Sequence, residues 1–60
     1  MIKFVLCDDS QNILDKLSIM LNDIFKEEKF NAIVEYTTTS TSSMLEYLTN
    51  HKIDVILLDI

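Results

Sequence analysis

Ile2-Lys3-Phe4-Val5-Leu6-Cys7-Asp8-Asp9, residues 2–9, is an apolar run that stops at two acids. A strand buried on both faces reads this way, because apolar side chains go to either side and charge returns only where the carboxyl end meets water. The run predicts a strand over about 2–7. Its counterpart, Asp54-Val55-Ile56-Leu57-Leu58-Asp59, is the most hydrophobic stretch and again ends on a carboxylate, predicting a strand over about 53–59 that is central in character.

Between these runs the pattern changes period. Ile13, Leu14, Leu17, Met20, Leu21, Ile24 and Phe25 fall within one stripe at about 100° per residue, while Asp15, Lys16, Asn22, Asp23 and Lys26 lie outside it. An amphipathic helix over about 10–28 follows, with Asp9 or Ser10 capping its start and Lys26 and Lys29 suiting its negative end. Ile33, Val34 and Tyr36 beside Glu35 predict a weaker strand over about 32–37, placed at an edge by its internal charge. From Thr37 to Ser43 every residue carries a hydroxyl, which reads as a loop. Ser43 followed by Glu46 matches a capping box, and Met44, Leu45, Tyr47 and Leu48 share a face, so a short helix is expected over about 43–50. Strand, helix, strand, helix, strand is the opening of an open parallel α/β sheet, read as one partial domain over 1–60.

Composition narrows the chemistry. Sixty residues hold ten Asp+Glu against five Lys+Arg, a formal charge of −5, with no Gly, Pro or Trp and one Cys. The absence of glycine excludes P-loop and dinucleotide phosphate cradles, which need glycine where backbone approaches phosphate. Scattered bases in an acidic chain argue against gripping a nucleic-acid backbone, and no apolar run reaches a membrane span. A single cysteine makes neither an internal disulfide nor a thiolate metal site, so the expected setting is the cytoplasm. A chain this short buries only about 60% of its unfolded surface, so a partner is expected.

Ligands of open α/β sheets bind beyond the carboxyl ends of the strands. If the first and third strands are neighbours, about 4.8 Å apart, Asp8, Asp9 and Asp59 converge. Like charges about 4 Å apart repel by about 4 kcal/mol at an effective dielectric near 20. A hard divalent cation relieves that repulsion, and Mg²⁺ suits carboxylate oxygens where phosphoryl groups are handled. A screened aspartate can then attack phosphorus and become an acyl phosphate, with Asp59 as the nucleophile. Each acid also has a plain structural use, Asp8 and Asp9 at a helix start and Asp59 as a solvated terminal charge, so the inference is joint.

The ordered set, Val5-Leu6-Cys7-Asp8-Asp9-Ser10, the amphipathic helix, the weaker strand, the short helix and Asp54-Val55-Ile56-Leu57-Leu58-Asp59, resembles the first half of a bacterial response-regulator receiver domain. It is most similar to regulators of the LytTR, accessory-gene-regulator-like type. The resemblance implies a truncated flavodoxin-like sheet with strand order 2-1-3 and an Mg²⁺-dependent phosphoacceptor at Asp59. It implies that Asp9 and Asp59 bind the metal directly and Asp8 mostly through a coordinated water. The phosphoryl donor would be a sensor histidine kinase or a small acyl phosphate, and the chain would catalyse only its own modification. Transcription would be regulated through an output domain outside these residues. The family's Ser/Thr and Lys positions fall beyond Ile60, which makes a piece of a longer chain the expectation.

Other residues are read plainly. His51 is a turn histidine, Cys7 a small core residue, and Met20, Met44, Phe4, Phe25, Phe30, Tyr36 and Tyr47 are packing residues. A second class of function, an assembly module or homo-oligomer joined through an unpaired third strand, stands beside the receiver, and a folded isolated monomer is not expected. A magnesium-dependent phosphatase of another α/β family fits less well, because its acids are normally two residues apart on the first strand and here they are adjacent.

Overall fold

A computed structural model describes residues 1–59. The chain runs β1 (Ile2–Asp8), α1 (Gln11–Glu27), β2 (Ala32–Thr38), α2 (Thr41–Asn50) and β3 (Val55–Asp59). The three strands form one parallel sheet in the order β2-β1-β3. This is a βαβαβ α/β fold with strand order 2-1-3.

Among the described residues β1 is the strand paired on both sides, and Val5, Leu6, Cys7 and Asp8 within it are buried. Side chains alternate across a strand, so β1 divides two packing layers. Phe4 meets Phe25 of α1 at a ring-centroid distance of 5.0 Å. Val5 and Cys7 instead pack with Met44, Tyr47 and Leu48 of α2. The helices therefore cover opposite faces, as two right-handed crossovers running in opposite directions across the sheet require. Leu14 on α1 and Met44 on α2 are the buried anchors.

β2 carries a bulge. Phe4 pairs with Val34 but Val5 pairs with Tyr36, which leaves Glu35 as the extra residue. The insertion reverses facing along β2: Val34 shares a face with Phe4, while Tyr36 joins the α2 layer although only two residues on. By contrast, β3 pairs with β1 without interruption from Phe4↔Val55 to Asp8↔Asp59. Asp54 starts that pairing from outside the strand, its N–H donating to the Lys3 carbonyl at 3.0 Å and its Oδ2 accepting the Lys3 N–H at 2.8 Å.

Caps set the helix ends. Ser10 has extended backbone and its Oγ accepts the Ile13 N–H at 3.4 Å, so Ser10 and not Asp9 caps α1. At the far end the Phe30 N–H donates to the Phe25 carbonyl at 2.8 Å while Lys29 takes the left-handed conformation, φ 56°. In other chains glycine commonly fills this place; with no glycine available, a lysine does.

Three sequence expectations are corrected. α2 begins at Thr41, capped by Ser40, whose Oγ accepts the Ser43 N–H at 3.2 Å. The Ser43–Glu46 capping box is therefore not the start, and the expected hydroxyl loop shrinks to Thr39–Ser40 between β2 and α2. The earlier start lets the Met44 N–H donate to the Ser40 carbonyl at 3.0 Å while its side chain reaches the core. Met20 and Phe30 are exposed rather than packed: at about 100° per residue Met20 stands roughly 120° or more around α1 from the buried Leu14 and Phe25, and Phe30 lies in the connection between α1 and β2. β3 lies at the outer side of the described sheet, as the order 2-1-3 implies, and its Ile56, Leu57 and Leu58 are exposed. The remaining bounds differ by a residue or two: β1 continues to Asp8, β3 starts at Val55 and α1 stops at Glu27.

Candidate functional site

In a sheet ordered β2-β1-β3 the connection from β1 leaves to one side and the chain returns to the other, so a crevice opens at the carboxyl ends of β1 and β3. The strand register sets Asp8 directly opposite Asp59 at that point. In a parallel pair, residues in register project to the same face, here the face covered by α1. Both acids line one cavity of about 340 Å³, whose walls include Leu6, Leu14, Leu17 and Leu57.

The two carboxylates differ in surroundings. Asp8 is only 4% exposed, and its Oδ1 accepts the Ser10 N–H at 2.8 Å, which folds the chain from β1 into the cap of α1. Asp59 is exposed on the edge strand. Thus one acid is fixed by backbone and the other is reachable, the division of labour a nucleophile and its supporting group need.

Asp9 is exposed and does not line the cavity. Among the described residues no group of three or more His, Cys, Asp or Glu side chains is gathered closely enough to hold a metal. The structure therefore brings together Asp8 and Asp59, with Asp9 one residue beyond the strand end. Two carboxylates still match Mg²⁺, which is usually held by one or two carboxylates, substrate phosphate oxygens and retained waters. Among the described residues no group donates a hydrogen bond to Asp8 Oδ2, so the pair offers hard oxygen donors on one rim.

A second polar group lies on the α2 face, where sequence reading takes Tyr36 and Tyr47 as packing residues, His51 as a turn histidine and Glu35 as an edge-strand charge. Tyr36 and Tyr47 stack with centroids 4.1 Å apart, and Tyr47 stacks on His51 at 3.8 Å. The Tyr47 hydroxyl donates to Glu35 Oε2 at 2.6 Å, and Lys3 Nζ lies 3.6 Å from Glu35 Oε1. That hydroxyl, with the Lys3 ammonium assisting, holds the Glu35 carboxyl below its usual range. The same hydrogen bond pushes Tyr47 up to about 12, since ionising the phenol would forfeit it beside a carboxylate. The spacing of Tyr47 and His51, four apart on a helix, is a signal the sequence did contain. The bulge that brings Glu35 and Tyr36 to them is not written in any one residue. His51 itself sits where a turn histidine belongs, its Nδ1 3.0 Å from the Tyr47 carbonyl at the end of α2.

No protein-family model, curated protein or solved structure matches this chain. Among the described residues no helix is long and apolar enough to cross a membrane.

Proposed function

We propose that the chain is a phosphoacceptor of two-component signalling, similar to the first half of a response-regulator receiver domain, with Asp59 as the residue modified. One observation carries the reading: the β1–β3 register sets Asp8 beside Asp59 at the carboxyl ends of adjacent parallel strands. An exposed carboxylate next to a buried, backbone-anchored one is an arrangement that attracts a divalent cation, through which an anionic phosphoryl group can then approach.

Asp59 Oδ attacks the phosphorus of a donor acyl phosphate or of a kinase phosphohistidine. A P–O bond to Asp59 forms as the bond to the donor breaks, and the donor leaves with the electron pair. Asp8 and Asp59 would hold an Mg²⁺ ion, with Asp9 one residue beyond. When bound, the ion neutralises charge on the phosphoryl oxygens and lets two anions approach. The Ser10 N–H holds the Asp8 carboxylate at the strand end, and the buried Leu6 and Leu14 lie beneath the acids with the exposed Leu57 beside them. The donor in a cell is a sensor histidine kinase, the compartment the cytoplasm, and the output a change in transcription through a further domain. The one buried cysteine and the acidic charge of −5, which disfavours nucleic acid at this segment, agree with that setting.

Incubation with Mg²⁺ and acetyl phosphate, followed by intact-mass and fragment mass spectrometry, tests the proposal. The expected result is one added phosphoryl group on Asp59, lost in Asp59→Asn and in the absence of Mg²⁺. No adduct on the wild-type chain, together with no beryllium fluoride binding by fluorine NMR, overturns it.

A further inference from the structure

A second cavity, of about 290 Å³, opens between β2 and α2 and is lined by Tyr36, Ser43, Glu46, Tyr47, Asn50 and His51. Four of these stand three or four residues apart on α2, so one ridge of that helix supplies most of the wall. Every lining residue belongs to β2, to α2 or to the position just after it, and β1 stands between this wall and β3. The cavity is thus remote from Asp59. Its volume is near the lower end for ligand pockets, about 300 Å³, which suits one group of side-chain size.

The lining is biased toward accepting hydrogen bonds. Among the described residues no base and no hydrogen-bond donor reaches the Glu46 carboxylate, since Lys3, the base on this face, is held by Glu35 at 3.6 Å. Asn50 gives its amide N–H to the Glu46 carbonyl at 3.1 Å, which leaves Oδ1 as an acceptor. The Tyr47 carbonyl can only accept, so the His51 nitrogen 3.0 Å from it, Nδ1, carries the proton, and Nε2 of the neutral ring is a bare lone pair. Tyr47 has already committed its hydroxyl proton to Glu35. The hydroxyls of Tyr36 and Ser43 serve in either role.

The rings add a second bias. Tyr36, Tyr47 and His51 lie in near-parallel planes, 1° and 7° apart, with centroids separated by 4.1 and 3.8 Å. With Tyr47 in the middle, Tyr36 and His51 each keep one face outside the stack. The Tyr47–Glu35 hydrogen bond and the His51–Tyr47 contact fix these rings in advance, so an occupant meets an ordered aromatic surface. A π face attracts cations, and a planar cation can also stack on it.

We infer that this cavity binds the guanidinium group of arginine. A guanidinium is flat, permanently charged and rich in N–H donors, with no acceptor of its own. It pairs its fork with the Glu46 carboxylate, donates to Asn50 Oδ1 or His51 Nε2, and lays its plane against a ring. An ammonium matches the charge but not the plane, and an anion meets a carboxylate in a chain of net charge −5. A free arginine and an arginine in a peptide present the same group, and the test below distinguishes them. The inference stands independently of the phosphoryl chemistry.

Titration of the nitrogen-15-labelled chain with free arginine and with N-acetylarginine amide, read from its amide NMR signals, tests it, with the lysine and citrulline analogues run beside them. A saturable response at the cavity residues is expected, with a midpoint on the order of 1 mM, at least fivefold weaker for lysine and absent for the uncharged citrulline. Tighter binding of the capped form identifies a peptide as the source, tighter binding of the free amino acid identifies a metabolite, and equal binding means that guanidinium alone is read. Glu46→Gln, at an exposed position, weakens binding at least fivefold while keeping the circular dichroism spectrum, whereas Asp23→Asn, an exposed acid on α1, leaves it unchanged. No saturable response overturns the inference, as does equal binding of lysine, a response confined to other residues, or binding that Glu46→Gln leaves intact.

Discussion

Glu35 shows how one residue ties three elements together. It sits on β2, accepts from Tyr47 of α2 at 2.6 Å and lies 3.6 Å from the Lys3 ammonium of β1. Because its folded pKa is lowered, chiefly by the Tyr47 hydroxyl, the stability it contributes is present above the ordinary carboxylate value of 4.5 and is lost as pH falls through the depressed folded value. Tyr47 works in the opposite sense: raised from 10.0 to about 12, its contribution is complete below pH 10.0 and disappears between there and about 12. Tyr47→Phe is therefore expected to raise the Glu35 midpoint in a carbon-13 NMR titration and to flatten the acid limb of the unfolding curve. An unmoved Glu35 midpoint would show that the hydroxyl is not its main partner. At the other end of the sheet Asp8 is a second such residue, its carboxylate closing the turn into α1 through the Ser10 N–H.

The elements were readable to different depths. An apolar run that ends on acids has few readings, so β1 and β3 follow from their side chains, and the 3.6-residue stripe leaves little choice for α1. The start of α2 is harder, since Thr37 to Ser43 offers seven consecutive hydroxyls and each Ser or Thr is a chemically adequate cap. What selects Ser40 is tertiary: only that frame delivers Met44 to Val5 and Cys7. Ser40→Ala is expected to cost about 1 kcal/mol of stability, whereas Ser43→Ala, which gives only its backbone N–H to the cap, is near neutral. Equal losses in urea unfolding of the two variants would contradict the assigned start. The bulge at Glu35 was beyond sequence reading for a similar reason, because it satisfies packing on both faces of β2 and leaves no mark in the composition of the strand. In the site, the pairing of Asp8 with Asp59 follows from strand ends alone; the outward position of Asp9 depends on the turn between Asp8 and Ser10, which no spacing rule supplies.

Taken whole, the molecule has little more surface than its mass requires: 4328 Å² for 7.0 kDa, against about 4,000 Å² from the scaling of folded monomers. What distinguishes it is the character of that surface, since among the described residues twelve large hydrophobic side chains are exposed, three of them on β3. The core is correspondingly thin: among the described residues Val5, Leu6 and Leu14 are the large side chains excluded from water almost completely. The sealed edge at β2 then has a consequence for growth. The bulge, the Glu35 carboxylate and the Asn22 side chain on the Val34 N–H together block strand addition along β2. Asn22→Ala with Glu35→Val unseals that rim, and such a chain is expected to scatter light and bind thioflavin where the parent solution stays clear.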